Sequence, residues 1–245
     1  MIDIHCHILP MFDDGASSLE DALAMVRQAV DSGVTDIVAT PHFPGVRRTL
    51  QDVPAIFDRY DLLCDAIERE KLPLKLHLGS EVHCRPQTPE LARQGALLTI
   101  AETPYLLTEF HFGESFAYMD EMLGILWDYG YYPVVAHPER YDAIQRQPRL
   151  LEHWFRRGFI LQMNKGSVLG SFGDLVEETA HWMLDYGFVH MIASDGHSPH
   201  RRTTQMKELH EWLLNNYEEE YVRMLLEENP ARLLRGESMT PIGRI

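Results

Sequence analysis

The chain reads as an α/β protein built as one distorted barrel of seven β/α units over residues 1–245. Three observations predict this. Seven short apolar runs recur along the sequence, amphipathic helical patterns fill the gaps between them, and polar residues gather where the runs end. Short, continuously apolar runs are the signature of parallel strands buried on both faces. Alternation of this kind fits a barrel or an open sheet, and the count alone does not separate them.

The expected strands are 2–5, 36–40, 75–79, 106–110, 133–137, 160–164 and 189–194. The first helix is the clearest. Ser18 can cap it, Asp21 sits at its third position, Ala22, Met25, Val26, Ala29 and Val30 form its apolar face, and Gly33 ends it. Further helices are expected over 54–70, 115–129, 148–157, 174–186 and 204–228, the last broken near Asn215-Asn216. Asn229-Pro230 reads as an N-cap and first-turn proline opening a short terminal helix.

In a β/α barrel the chemistry sits at the C-terminal ends of the strands. Every expected strand but the sixth delivers a possible metal ligand there. The first gives His5 and His7, followed by Asp13 and Asp14 in the next loop. The second leads to His42, the third to Glu81, the fourth to Glu109, the fifth to His137, and the seventh to Asp195 and His197. Residues two apart on an extended strand point the same way, so His5 and His7 can share an ion while Cys6 turns into packing. So many imidazoles and carboxylates suit two or three divalent ions bridged by a carboxylate. Any one of these residues has a bland explanation as a cap, an ion-pair partner or a packed histidine; the pattern at six strand ends does not. The other histidines read as surface or packing residues, with His111 and His200 set apart as further candidates because each lies close to an expected ligand.

Composition narrows the partners. Lys and Arg number 22 against 37 Asp and Glu, a formal net charge of -15. That disfavours a duplex nucleic acid or an anionic membrane surface. No run suits a membrane span, the first residues do not resemble a signal peptide, and the cysteines Cys6, Cys64 and Cys84 are scattered without a CxxC. A reducing, cytoplasmic location is the expectation.

At this point the sequence resembles a known superfamily, the polymerase and histidinol phosphatase (PHP) phosphoesterases. Within it, the resemblance is to bacterial capsule-biosynthesis tyrosine phosphatases of the CpsB/CapC/YwqE type. It is carried by residues 3–10 (DIHCHILP), 13–15 (DDG), 39–42 (ATPH), 79–81 (GSE), 106–110 (LLTEF), 136–140 (AHPER), 193–197 (ASDGH) and 228–230 (ENP). It implies the PHP fold and three divalent ions, commonly manganese, with iron, zinc, cobalt or magnesium as other candidates. One ion would take His5, His7, Glu81 and Asp195. A second would take Glu81, Glu109 and His137, and a third Asp14, His42 and His197. Arg140 and Arg202 would hold the phosphoryl group, with Arg201 competing for the second role, and His42 or Asp14 could deliver a proton. Two departures from the family pattern stand out, Cys6 where serine is usual and Met11 where glycine is usual.

The activity the resemblance implies is hydrolysis of phosphotyrosine by metal-activated water, with the phosphotyrosine-bearing tail of a bacterial tyrosine kinase controlling capsular or exopolysaccharide synthesis as the expected substrate. Arg47 and Arg48 are candidates for recruiting such a tail. Cysteine-phosphatase chemistry is disfavoured because no cysteine is followed six residues later by arginine. Competing readings are a phosphoesterase acting on a small phosphomonoester such as histidinol phosphate, an amidohydrolase, and a non-catalytic kinase-binding regulator.

Overall fold

The computed structural model describes residues 1–43 and 50–239, so Arg47 and Arg48 lie outside the described residues. Among the described residues there are eight strand segments: β1 (Ile2–Cys6), β2 (Asp36–Ala39), β3 (Lys75–Leu78), β4 (Glu81–His83), β5 (Tyr105–Glu109), β6 (Tyr132–Ala136), β7 (Ile160–Asn164) and β8 (Met191–Ala193). They pair in parallel as β1-β2-β3 and β4-β5-β6-β7-β8.

The segments form seven staves, because β3 fills the expected third strand and β4 continues the same stave beyond its expected end. The break falls at Gly79-Ser80. A Cβ on Gly79 would stand 3.2 Å from the Ile100 backbone and 3.3 Å from Val38, so a side chain here would have to push its neighbours aside by a few tenths of an ångström. Pairing to the second stave continues across the break, from Gly79 N–H to Ala39 O (2.9 Å) and from Glu81 N–H to Pro41 O (3.0 Å). On the far side, Asp195 N–H donates to His5 O (2.9 Å) and His7 N–H to Gly196 O (2.8 Å). These bonds join the last stave to the first and close the barrel.

β1 carries a bulge. Asp3 pairs with Ile37 and Cys6 with Ala39, so Ile4 and His5 together oppose Val38. Two residues facing one is the geometry of a bulge, which re-aims side chains. It allows apolar Ile4 and ligand-type His5 both to face the barrel interior.

That interior has two layers. Ile4, Val38, Leu107, Val134, Ala136, Ile160, Met191 and Ala193 form an apolar lower layer, plugged by Ile100 and Leu233. Above it lie buried polar groups, among them His5, His7, Glu81, His137, Gln162, Asn164 and Asp195. A larger apolar cluster packs the outer faces of the strands against the helices.

The helices follow their sequence signals closely. Leu19–Asp31 is capped by Ser18, whose side chain accepts from Asp21 N–H at 3.1 Å, and Gly33 exits with φ 85°. Val53–Arg69, Phe116–Asp128 and Asp174–Asp185 fall within a residue or two of expectation. The expected helix over 148–157 begins with a 3-10 turn, Pro148–Leu150, before Leu151–Arg156. The expected helix over 204–228 starts later, at Lys207, and breaks after Asn216, where Tyr217 is extended.

Asn229 is not an N-cap. Its φ and ψ of -65° and -45° are helical, and it joins the π-turn Met224–Glu228 to Asn229–Leu234 without interruption. Pro230 supplies no N–H and would crowd the carbonyl four residues back in a regular helix; the wider π turn relieves this. Asn229 instead turns inward and donates from Nδ2 to His190 O (2.9 Å). Three short helices carried no clear sequence signal: Thr88–Arg93, Asp142–Arg146 and Lys165–Val168.

Candidate metal centre

The structure brings all nine expected ligands to one end of the barrel. His5 Nε2 lies 3.3 Å from His7 Nε2, 3.3 Å from Glu81 Oε1 and 3.4 Å from Asp195 Oδ1. His7 Nε2 lies 3.2 Å from Glu81 Oε2. On the far side of Glu81, His137 Nε2 is 3.2 Å from Oε1 and 3.7 Å from Glu109 Oε1. At the rim, Asp14 Oδ1 faces His42 Nε2 at 3.6 Å and His197 Nε2 at 3.7 Å. His42 also reaches Glu81 Oε2 through Nδ1, at 3.0 Å. It therefore stands between the second and third groups of donors, not wholly within the third.

Donor atoms bound to one ion at roughly 2.1 Å stand about 3 Å apart, close to these separations. The other ring nitrogens support the same reading. His5 Nδ1 is paired with Gln162 Oε1 (2.8 Å), His7 Nδ1 with Asp13 Oδ2 (2.8 Å) and His197 Nδ1 with Asp195 O (2.9 Å). Each pairing leaves Nε2 turned toward the cluster, as the outer contacts of ligating histidines do. The donor set thus fits divalent ions that accept mixed nitrogen and oxygen ligands.

Buried charge is concentrated among these groups. Burial opposes charge on His5 and His7, yet Glu81, with Asp195 beside His5 and Asp13 beside His7, outweighs it and raises both pKa values. Glu81 is buried too, but His5, His137 and His42 hold its carboxyl well below the usual range. Burial and nearby His7 push His197 down to about 3, so its ring is neutral. Divalent ions bound here would displace protons from these imidazoles and balance the same carboxylates.

Asp13 is close to the cluster but is already engaged. Its Oδ2 takes His7 Nδ1 and the His42 backbone N–H (3.0 Å), while Oδ1 takes Gly15 N–H (3.0 Å). It orients two histidines. Gly15 is compelled here, since a Cβ would lie 1.9 Å from His7 O. His111 spends Nδ1 on Gly113 N–H (3.2 Å), and His200 is exposed, so neither joins the donors. Cys6 is fully buried, with Sγ near Gly196 O (3.6 Å), as the strand alternation predicts.

Both arginines converge on Asp195. Arg140 Nη1 is 3.8 Å from Asp195 Oδ2, and Arg202 Nη2 contacts the same oxygen. Arg201 is exposed to solvent. The backbone turns sharply at this end, with His137, Asp195 and Arg202 at φ 36°, 50° and 51°. Non-glycine residues in that region carry strain that persists only where the surroundings enforce it. For the 137–140 turn, buried Glu139 does so, its Oε1 accepting from Asn164 N–H (3.1 Å) and Ser167 Oγ (2.6 Å). For the segment after Arg202, Lys165 Nζ binds Thr203 O and Gln205 O, the latter at 2.8 Å.

With this geometry in hand, the family pattern for capsular polysaccharide synthesis, CpsB/CapC, matches residues 1–235. The chain belongs to the CpsB/CapC family. It is 34% identical over 240 residues to the tyrosine-protein phosphatase YwqE of Bacillus subtilis, covering 98% of this chain and 93% of that one. It is 36% identical over 209 residues to the putative tyrosine-protein phosphatase CapC of Staphylococcus aureus, covering 85% and 82%. A crystal structure from work on YwqE of Bacillus subtilis and CpsB of Streptococcus pneumoniae, described as unique metal-dependent tyrosine phosphatases, superposes with a TM-score of 0.91. There the identity is 33%, and the match covers 100% of this chain and 99% of that one.

Two polar residues of this CpsB/CapC chain, Gln162 and Asn164, fall outside the ligand pattern of the sequence, and His83 falls among the histidines read as surface or packing residues. Gln162 and Asn164 lie on β7, the stave that brings no ligand. Gln162 holds His5, and Asn164 Nδ2 donates to Asp195 Oδ2 at 2.5 Å. Two polar residues spaced i, i+2 inside an apolar run were the available signal, since both then face the interior. His83 lies two residues past Glu81 and brings Nδ1 to 3.0 Å from Glu109 Oε2.

Proposed function

We propose that this CpsB/CapC chain is a metal-dependent protein-tyrosine phosphatase of the phosphoric monoester hydrolase class. Its substrate is the phosphotyrosine-bearing tail of an autophosphorylated tyrosine kinase controlling capsular or exopolysaccharide synthesis, met in the cytoplasm. The observation that carries this reading is the convergence of nine ligand-type side chains beside two arginines that share one carboxylate oxygen.

His5, His7, Glu81 and Asp195 would hold one ion, Glu81, Glu109 and His137 a second, and Asp14, His42 and His197 a third, with manganese as the assigned metal. When bound, the ions lower the pKa of water toward neutrality and withdraw charge from the phosphoryl oxygens. The chain's own residues do the rest. Arg140 and Arg202 offer edge N–H donors where negative charge grows on the transferring group. Asn164 and Arg202 occupy Asp195 Oδ2, which fixes Oδ1 toward His5 and His7. The leaving phenol has a pKa of about 10, so it needs less proton assistance than an alkanol. His42 and Asp14 stand at the rim, where either can deliver that proton. Among the described residues no helix is long and apolar enough to cross a membrane.

The test is phosphate release from a tyrosine phosphopeptide by purified protein across manganese, cobalt, zinc and iron, with chelation as control. Metal-dependent release supports the reading. Faster turnover of histidinol phosphate would move the chain to the small-molecule alternative. No release with any metal, alongside retained kinase binding, would leave a binding regulator.

A further inference from the structure

Arg140 is clamped between two aromatic rings. Its guanidinium carbon lies 4.4 Å from the Phe112 ring centre and 4.3 Å from that of Phe172. Arg202 approaches the same Phe172 ring at 6.0 Å. The two rings flank the Arg140 guanidinium, whose Nη1 reaches toward Asp195. A phosphoryl group bound by a guanidinium edge lies in the guanidinium plane. Held by Arg140, it would lie beside both rings, and its ester substituent would leave past one or both of them.

The rings are differently mounted. Phe172 is braced, because its ring lies against Gly166, where a Cβ would meet it at 2.8 Å. Its turn is bounded by Gly170 and Gly173, at φ 69° and 97°, a shape that favours glycine. Phe112 stands at the mouth. It packs edge-on to His137 at 5.9 Å between ring centres, yet stays 38% exposed. A large apolar side chain held open beside a cluster of charges is the pattern of a ligand wall more than of a core.

We propose that Phe112 and Phe172 form the subsite for the substrate's phenyl ring and set the preference for aryl over alkyl phosphate esters. This rests on the phosphatase reading above and names its specificity residues. A phenyl ring begins one bond beyond the ester oxygen and can meet these rings edge-to-face or offset, whereas a short alkyl ester reaches neither.

Binding separates this subsite from phosphoryl recognition and from leaving-group chemistry. Calorimetry on manganese-loaded protein would compare phenylphosphonate with methylphosphonate, for wild type and for Phe112→Leu, Phe172→Leu and Phe112→Tyr. The wild-type preference for phenylphosphonate should fall about 3- to 10-fold in each leucine variant and be retained in Phe112→Tyr, which keeps an aromatic face. A preference changed less than about twofold overturns the proposal. So does an equal loss for both phosphonates, which would mean the rings serve only to position Arg140. Phosphate release by wild type from the tyrosine phosphopeptide is scored separately, so the activity and the ring subsite can fail independently.

Discussion

Gln162 Oε1 lies 2.8 Å from His5 Nδ1, deep in the barrel and on a stave with no ligand of its own. The contact fixes which nitrogen of His5 faces the cluster. Gln162 is itself held, since its Nε2 donates to Asn164 Oδ1 (3.0 Å) and Met163 O (2.7 Å). Removing such a contact from a ligating histidine typically weakens metal binding about 10- to 100-fold. Gln162→Leu should show a loss of that order in manganese titrations while retaining a native far-UV circular dichroism spectrum. Unchanged affinity would show that β7 plays no part in aiming His5.

The two arginines should matter far more than their neighbour. Arg140→Ala and Arg202→Ala should each lower kcat by about 100- to 1000-fold, the usual effect of losing one donor to developing charge. Arg201 is exposed, so Arg201→Ala should leave turnover of the tyrosine phosphopeptide near wild type. The reverse order for Arg201 and Arg202 would exchange their roles.

Removal of metal should destabilise the fold. Glu81 and Asp195 are buried among imidazoles, and without cations their charge must be balanced by protons. Ligands that bind only the folded state raise the melting temperature. Chelation should lower Tm by several degrees, and adding manganese should restore it. An unchanged Tm would argue that the empty cluster is not under tension.

Acid should weaken the protein through His190 as well. This ring is buried beneath Phe155, accepts Leu161 N–H at Nδ1 (3.0 Å), and is pushed by burial down to about 4. The unfolded chain takes up a proton near pH 6.5, whereas the folded chain resists until about pH 4. Its contribution is thus complete above about pH 6.5 and lost as pH falls toward 4, of order 3 kcal/mol in total. Urea melts at pH 7 and pH 5 should show a smaller pH penalty for His190→Gln than for wild type.

Met11 sits at φ 58° and is 52% exposed. A left-handed conformation costs a non-glycine residue about 1–2 kcal/mol, partly offset for glycine by its freer unfolded state. Met11→Gly should therefore stabilise the fold by roughly 0.5–1 kcal/mol in urea unfolding.

The nine donor-type side chains were readable together because the strand ends of a β/α barrel face one site, and eight of them lie within three residues of an expected strand end, with Asp14 in the loop after the first. By itself the sequence determined the seven-stave alternation, the helix cap at Ser18, and which residue types meet. Periodicity and capping are local, and neighbouring residues specify them. What the tertiary structure decided was contact between residues far apart in the chain. The bulge that turns both Ile4 and His5 inward, the break at Gly79, the placing of His42 between donor groups and the choice of Arg202 over Arg201 all belong to this class. So do the holds of Gln162 on His5 and Asn164 on Asp195, and the two rings enclosing Arg140. Each depends on the distance and angle between separate staves, which no spacing along a single strand encodes.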